Sequence, residues 1–209
     1  DGVSASDSTA YLGYAISLST LIVAFLGPIL GTIADRKNKK KPLFVFFMMM
    51  GVLGCAGLAV PAGWIAFLAI FVIAKVGFSG SLIFYDSMLV DVTSDDRMDE
   101  VSAQGYAWGY IGSCIPFVLS LGLVLGSETL GISGGAAMAA VFGLNALWWF
   151  LITLPLLKSY EQKYYVETEK ESVGEVFRRL AHVFAEIKSN KKILLFLMAF
   201  FFYIDGVYT

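Results

Sequence analysis

Two ionisable residues lie deep inside long apolar stretches of the sequence. Lys75 is the single charge in residues 42–85, and Asp205 interrupts an apolar stretch that begins at Ile193. At 1.5 Å per residue along a helix, Lys75 lies about 16 Å from Trp64, the predicted start of its helix, and Asp205 lies about 18 Å from Ile193. A charge at that depth in a membrane normally faces a cavity or an opposite charge. Both residues are therefore candidates for binding a solute or a proton; the alternative for Lys75 is a structural role between helices.

The composition places these residues in a membrane. Hydrophobic residues make up 57% of the 209 residues and charged residues 15%, whereas soluble domains have about 25% charged residues. One soluble core of this size could not bury so much apolar surface. We therefore predict an all-α integral membrane protein whose main partner is the lipid bilayer. The two cysteines lie in apolar stretches and there is one histidine, so we predict no metal site and no bound cofactor.

Apolar stretches divide the chain into helices that would span the bilayer. The predicted spans are residues 9–34, 42–60, 64–85, 101–126 and 136–157, and a sixth begins at 193. We expect three parts: an N-terminal transmembrane half (1–157), a linker (158–192) and the start of the next span (193–209). The chain opens without Met and ends inside an apolar stretch, which favours a fragment of a longer protein.

The basic residues predict the orientation of the spans. Of the fifteen Lys and Arg residues, five lie in 36–41, one in 86–100 and eight in 158–192, while Lys75 is the remaining one. The segments on the opposite side, 1–8, 61–63 and 127–135, contain none. Because positive charges favour the cytoplasmic side, we predict that the three basic segments face the cytoplasm.

The first basic segment carries a recognisable motif. Gly31-Thr32-Ile33-Ala34-Asp35-Arg36-Lys37-Asn38-Lys39-Lys40-Lys41 resembles the signature between the second and third helices of the major facilitator superfamily of transporters. The matching residues are Gly31, Asp35, Arg36, Lys39, Lys40 and Lys41, and Asn38 stands where the family has glycine. Asn is the next most tolerant residue of a left-handed backbone. A simple basic anchor at the membrane surface is the alternative.

The resemblance implies a twelve-helix fold, of which these spans would be helices two to six and the start of seven. It also implies that Asp35 is part of a latch that pairs with a neighbouring helix end and holds one conformational state. In the family, helices four and seven line the central cavity, so Lys75 and Asp205 would lie on facing walls at similar depth.

Three short segments are similar to one branch of the superfamily, named after the autophagy-related vacuolar amino-acid effluxer. They are residues 84–87, 101–112 and 203–209. The branch implies secondary active transport of a small solute by alternating access, with amino-acid efflux and proton coupling as the expected activity. Ile204 stands where a polar residue is expected in this branch. The alternatives are a proton-coupled drug antiporter and, with less support in the sequence, a channel or a membrane-embedded enzyme.

The remaining patterns have structural explanations beside functional ones. Gly105, Gly109, Gly112 and Pro116 would allow close helix packing, and they also resemble the fifth-helix pattern of antiporters. Residues 173–187 repeat apolar positions at helical spacing, which predicts a helix on the inner membrane surface or, equally, one packed on the bundle. We expect Asp86 and Asp91 to be solvated loop acids. The expected partners are a small solute and the rest of the same chain, with no nucleic acid.

Overall fold

A computed structural model describes residues 3–167 and 173–208, which are almost entirely helical. In chain order the elements are α1 (Ala5–Ala34), α2 (Lys40–Gly57), α3 (Trp64–Ser87), α4 (Leu89–Val92), a 3-10 turn (Asp95–Arg97), α5 (Met98–Leu125), α6 (Gly134–Ser159), α7 (Val173–Ser189) and α8 (Lys191–Tyr208). The β pairing within these residues is an isolated bridge between Arg36 and Val166.

Five of the described helices are long and apolar enough to cross a membrane. Their bounds are Ser6–Ala34, Lys40–Gly57, Trp64–Val92, Asp95–Leu125 and Gly134–Ser159. The predicted all-α, multi-pass membrane fold is thus confirmed. α8 covers the predicted start of a further span, and that assignment stays a prediction.

The helix ends differ from the predicted ones for local reasons. α1 begins earlier than expected because the Ser4 side chain accepts a hydrogen bond from the Asp7 N–H, and Ser133 caps α6 in the same way through Ala136. The segment 86–100, predicted to be a loop, is mostly helical, with α3 running to Ser87, α4 following it and α5 starting at Met98. Residues 40–41, predicted to be part of the basic hairpin, are the first residues of α2.

The packing is tightest between α2 and α3. A side chain at Gly77 would overlap the Gly51 backbone, and a Cβ at Gly54 would lie 2.7 Å from the Ala74 Cβ. The two helices therefore approach each other almost backbone to backbone, as small residues allow in membranes. Larger apolar side chains fill the space beside this contact, among them Phe47, Met48 and Phe84.

The chain divides into two compact units. The first ends at Glu167 and the second comprises Thr168–Thr209. Residues 158–167, the beginning of the predicted linker, thus belong to the same unit as α1 to α6, which contain the five candidate spans. α7 and α8 belong to the second unit.

Candidate functional site

The ends of four helices meet at the side of the first unit that is predicted to be cytoplasmic. α1 ends at Ala34, and a hairpin of residues 35–39 leads into α2. Asn38 within this hairpin has a positive φ of 59°, so its backbone is in the left-handed region that Asn tolerates. The same end of the bundle contains α4 and the segment that follows α6.

The centre of this end is a buried ion pair. The Lys40 Nζ lies 2.7 Å from the Asp91 Oδ2, and the two side chains are 4% and 0% exposed. The Lys40 Nζ also donates to the Ser87 carbonyl oxygen at 3.0 Å. A buried charge is tolerated only when it is paired and hydrogen-bonded, so the two residues depend on each other.

The Asp91 carboxylate also binds the chain that follows α6. Its Oδ2 accepts a hydrogen bond from the Tyr160 hydroxyl at 2.6 Å. Its Oδ1 accepts from the backbone N–H groups of Lys163 at 3.0 Å and Tyr164 at 2.9 Å. Both carboxylate oxygens are thus satisfied by charged, phenolic and backbone donors. We call Lys40, Asp91, Tyr160 and these two N–H groups the Asp91 cluster.

Residues 160–166, which we call the strap, are fixed to the helix ends by further hydrogen bonds. The Gln162 Nε2 donates to the Ala34 carbonyl oxygen at 3.1 Å, and the Gln162 Oε1 accepts from the Lys40 N–H at 3.4 Å. The Val166 N–H donates to the Asp35 carbonyl oxygen at 2.8 Å. The strap therefore connects the end of α6 to the end of α1 and the start of α2.

Tyr160 is a hydrogen-bond donor throughout the physiological pH range. Burial of the phenol, together with its hydrogen bond to the negative Asp91 carboxylate, raises the pKa of Tyr160 well above its ordinary value. The tyrosine is 3% exposed. Asp91 consequently keeps this donor at any pH at which the protein would work.

The prediction that Asp91 is a solvated loop acid is wrong, because its side chain is buried within the cluster. Lys40, predicted as one of several basic residues of the signature loop, is likewise buried. A signal was present in the sequence. Asp91 lies between the apolar Val90 and Val92, whereas each of the acids at 95–100 has at least one polar neighbour.

The other residues of the signature are more exposed than Lys40. The Asp35 side chain is exposed, and among the described ion pairs none involves its carboxylate. Asp35 contributes its backbone instead: its N–H donates to the Gly31 carbonyl oxygen and its own carbonyl oxygen binds the strap. Lys37 places its Nζ 5.2 Å from the centre of the Tyr165 ring. The latch role of Asp35 stays a prediction.

Lys75 lies on α3, where it is half-buried, and its Nζ lies 5.5 Å from the centre of the Phe78 ring. Asp205 is a residue of α8, but its side chain is not among those that the structure describes. Their pairing stays a prediction.

The three glycines of α5 that the sequence singled out have open space around them in the described part of the chain. A Cβ at Gly105, Gly109 or Gly112 would meet nothing within 4 Å, while Pro116 is the buried residue of that helix. Their role in helix packing stays a prediction. The close glycine contacts lie between α2 and α3, where Gly51 and Gly54, and Gly77 and Gly80, recur at a spacing of three residues, a signal that the sequence contained.

Comparisons with known proteins agree with this architecture. A family described as vacuole effluxer Atg22-like matches residues 2–209. The chain is 48% identical over 212 residues to YxiO of Bacillus subtilis (strain 168), described as an uncharacterized MFS-type transporter. This alignment covers 100% of the chain and 50% of that relative, so the chain spans half the relative's length. No solved structure matches the chain significantly.

A bundle of spanning helices with a charged cluster at one end fits a multi-pass membrane protein of the major facilitator type. The chain belongs to the Atg22-like family of this superfamily.

Proposed function

We propose that the protein is a secondary active transporter that moves a small solute by alternating access, with amino-acid efflux as the activity. Family membership supports the transporter class. The observation that carries the mechanism is the Asp91 cluster, because it joins α2, α4 and the strap through buried polar contacts at one end of the bundle. The strap in turn binds the end of α1. The plasma membrane of a prokaryote is the expected location, since the relative is bacterial.

In this mechanism the cluster acts as a latch for one state of the cycle. Buried polar networks hold one arrangement because a partial break leaves an uncompensated charge. Weakening the cluster would therefore shift the balance between inward-facing and outward-facing states. Asp35 lies at the same end, and we propose that its exposed carboxylate pairs with a helix outside the described residues. We expect Asp35→Asn to insert normally and to transport more slowly.

Within the same mechanism, Lys75 and Asp205 form the charged pair of the transport site. The support is their opposite charge and their similar predicted depth in a fold where their helices face the cavity. Lys75→Ala and Asp205→Ala should each abolish transport while expression survives. The double variant should be no worse than either, since residues that act as a unit are not additive. Additive losses, together with no crosslink between cysteines at the two positions, would exclude the pair.

The proposed transport activity is tested with the full-length protein reconstituted in liposomes. The liposomes are loaded with a mixture of amino acids. An imposed proton gradient should drive efflux of one amino-acid class, and Lys75→Ala should abolish it. Efflux of cationic dyes with no release of any amino acid would show a drug antiporter instead. The same gradient applied to protein-free liposomes is the control for leakage.

A further inference from the structure

α7 is the most strongly amphipathic helix of the described chain. At 100° per residue its apolar residues fall on an arc of about 120°. These residues are Val173, Val176, Phe177, Leu180, Val183, Phe184 and Ile187. The rest of the helix surface consists of small, polar and charged residues. Such a helix needs a partner for its apolar arc.

The charged residues of α7 are arranged in a definite order around the helix. By helical spacing, Lys188 lies about 20° beyond one edge of the apolar arc and Arg179 about 40° beyond the other. Glu186 and Glu175 follow Arg179 on the same flank, about 60° and about 80° beyond that edge. Glu175 forms an ion pair with Arg178 at 3.7 Å, away from the arc. Basic residues beside an apolar face can reach phosphates at the membrane surface while their apolar stems remain buried.

Three of the described side chains on the apolar arc are exposed, and Ile187 is half-buried. Phe177 is 54% exposed, Val183 42% and Phe184 69%. The two phenylalanine rings on this arc suit the apolar face of a helix at a membrane surface, where Phe and Leu are common.

The junction between α7 and α8 is a single residue, Asn190, whose hydrogen bonds end one helix and start the next. The Asn190 N–H donates to the carbonyl oxygens of Glu186 and Ile187, which end α7. The Asn190 Oδ1 then accepts from the N–H groups of Lys192 at 3.1 Å and Ile193 at 3.4 Å, which starts α8. A single residue thus separates α7 from a helix whose apolar stretch is predicted to enter the bilayer at Ile193.

From these observations we propose that α7 is an interfacial helix that binds anionic phospholipid headgroups of the cytoplasmic leaflet. The apolar arc inserts at the boundary of the acyl chains, and Arg179 and Lys188 bind headgroup phosphates from its two edges. Lys191 and Lys192 add positive charge at the same level. Each edge charge should change the ratio of inserted to released helix by about five-fold, the effect expected of a basic residue at an anionic surface.

The experiment places a nitroxide label on the full-length protein in nanodiscs, with Cys55 and Cys114 replaced by alanine. One label is attached at Ile187→Cys in the arc and the other at Ala185→Cys on the polar side. The label at position 187 should be reached by oxygen and protected from a water-soluble nickel complex, and position 185 should show the opposite. Protection of position 187 from both reagents would mean that α7 packs against protein, and would overturn the proposal.

The headgroup assignment is tested by comparing nanodiscs that contain phosphatidylglycerol with nanodiscs of phosphatidylcholine alone. Insertion at position 187 should be greater with the anionic lipid, and this gain should be lost in Arg179→Gln/Lys188→Gln. The matched control is Arg178→Gln, which removes a charge from the polar side and should keep the gain. Equal insertion in both lipids, or loss of the gain in the control alone, would overturn the assignment.

Discussion

Lys40 and Asp91 form an ion pair of 2.7 Å between side chains that are almost wholly excluded from solvent. The two residues are 51 positions apart in the sequence; Lys40 is the first residue of α2, and Asp91 lies in the short helix α4. Because Asp91 also binds Tyr160 and the strap, the pair fixes the chain that leaves α6 against the ends of α1 and α2.

We expect Asp91→Asn to destabilise the protein strongly. The amide would leave the buried Lys40 ammonium without its counter-charge, and breaking a buried pair in this way costs about 3–5 kcal/mol. The measurement is the denaturation midpoint of the purified protein in detergent. Asp95→Asn, which changes an exposed acid, is the matched control and should keep the wild-type midpoint. Equal midpoints for the two variants would contradict the burial of Asp91.

Removing both charges should be less harmful than removing one. In Lys40→Met/Asp91→Leu no buried charge is left uncompensated, and apolar replacement of a buried pair is often neutral or stabilising. We therefore expect the midpoint of the double variant to lie above that of either Lys40→Met or Asp91→Leu. A double variant whose loss equals the sum of the two single losses would show that the residues act independently.

Hydropathy and charge in the sequence predicted the spanning helices because both are local properties. Apolar stretches of sufficient length predicted α1, α2, α3, α5 and α6 to within a few residues, and the Pro61–Gly63 break separates α2 from α3 as expected. The cluster could not be predicted in the same way. The burial of Asp91 depends on Tyr160, 69 residues away, and on backbone groups further along the chain, and no periodicity connects positions so distant in sequence.

Tyr160→Phe should lower stability by an amount that does not change near neutral pH. A hydrogen bond to a charged group contributes about 1.5–3 kcal/mol. Because the pKa of Tyr160 is raised in the folded protein, its contribution is fully present below the unfolded pKa of about 10 and decreases only at higher pH. Midpoints of both proteins between pH 6 and 9 should therefore differ by a constant amount. A difference that disappears toward pH 9 would contradict this account.

The close contact between α2 and α3 gives a separate prediction. Gly77→Ala should destabilise the protein by about 1–3 kcal/mol, because the new methyl group would overlap the Gly51 backbone. Gly13→Ala is the matched control, since a Cβ there meets nothing within 4 Å. Alanine normally favours a helix over glycine, so the control should be neutral or slightly stabilising. Denaturation midpoints measure both, and a neutral Gly77→Ala would mean that the helices are further apart.

The most direct test of the Asp91 cluster is amide hydrogen exchange of the strap. In the wild-type protein the N–H groups of Lys163 and Tyr164 should exchange slowly, because the Asp91 carboxylate accepts both. In Lys40→Met/Asp91→Leu these two amides should exchange much faster, while the amides of α2 and α3 stay protected. Unchanged protection of Lys163 and Tyr164 in that variant would contradict the claim that Asp91 holds the strap to the helix ends.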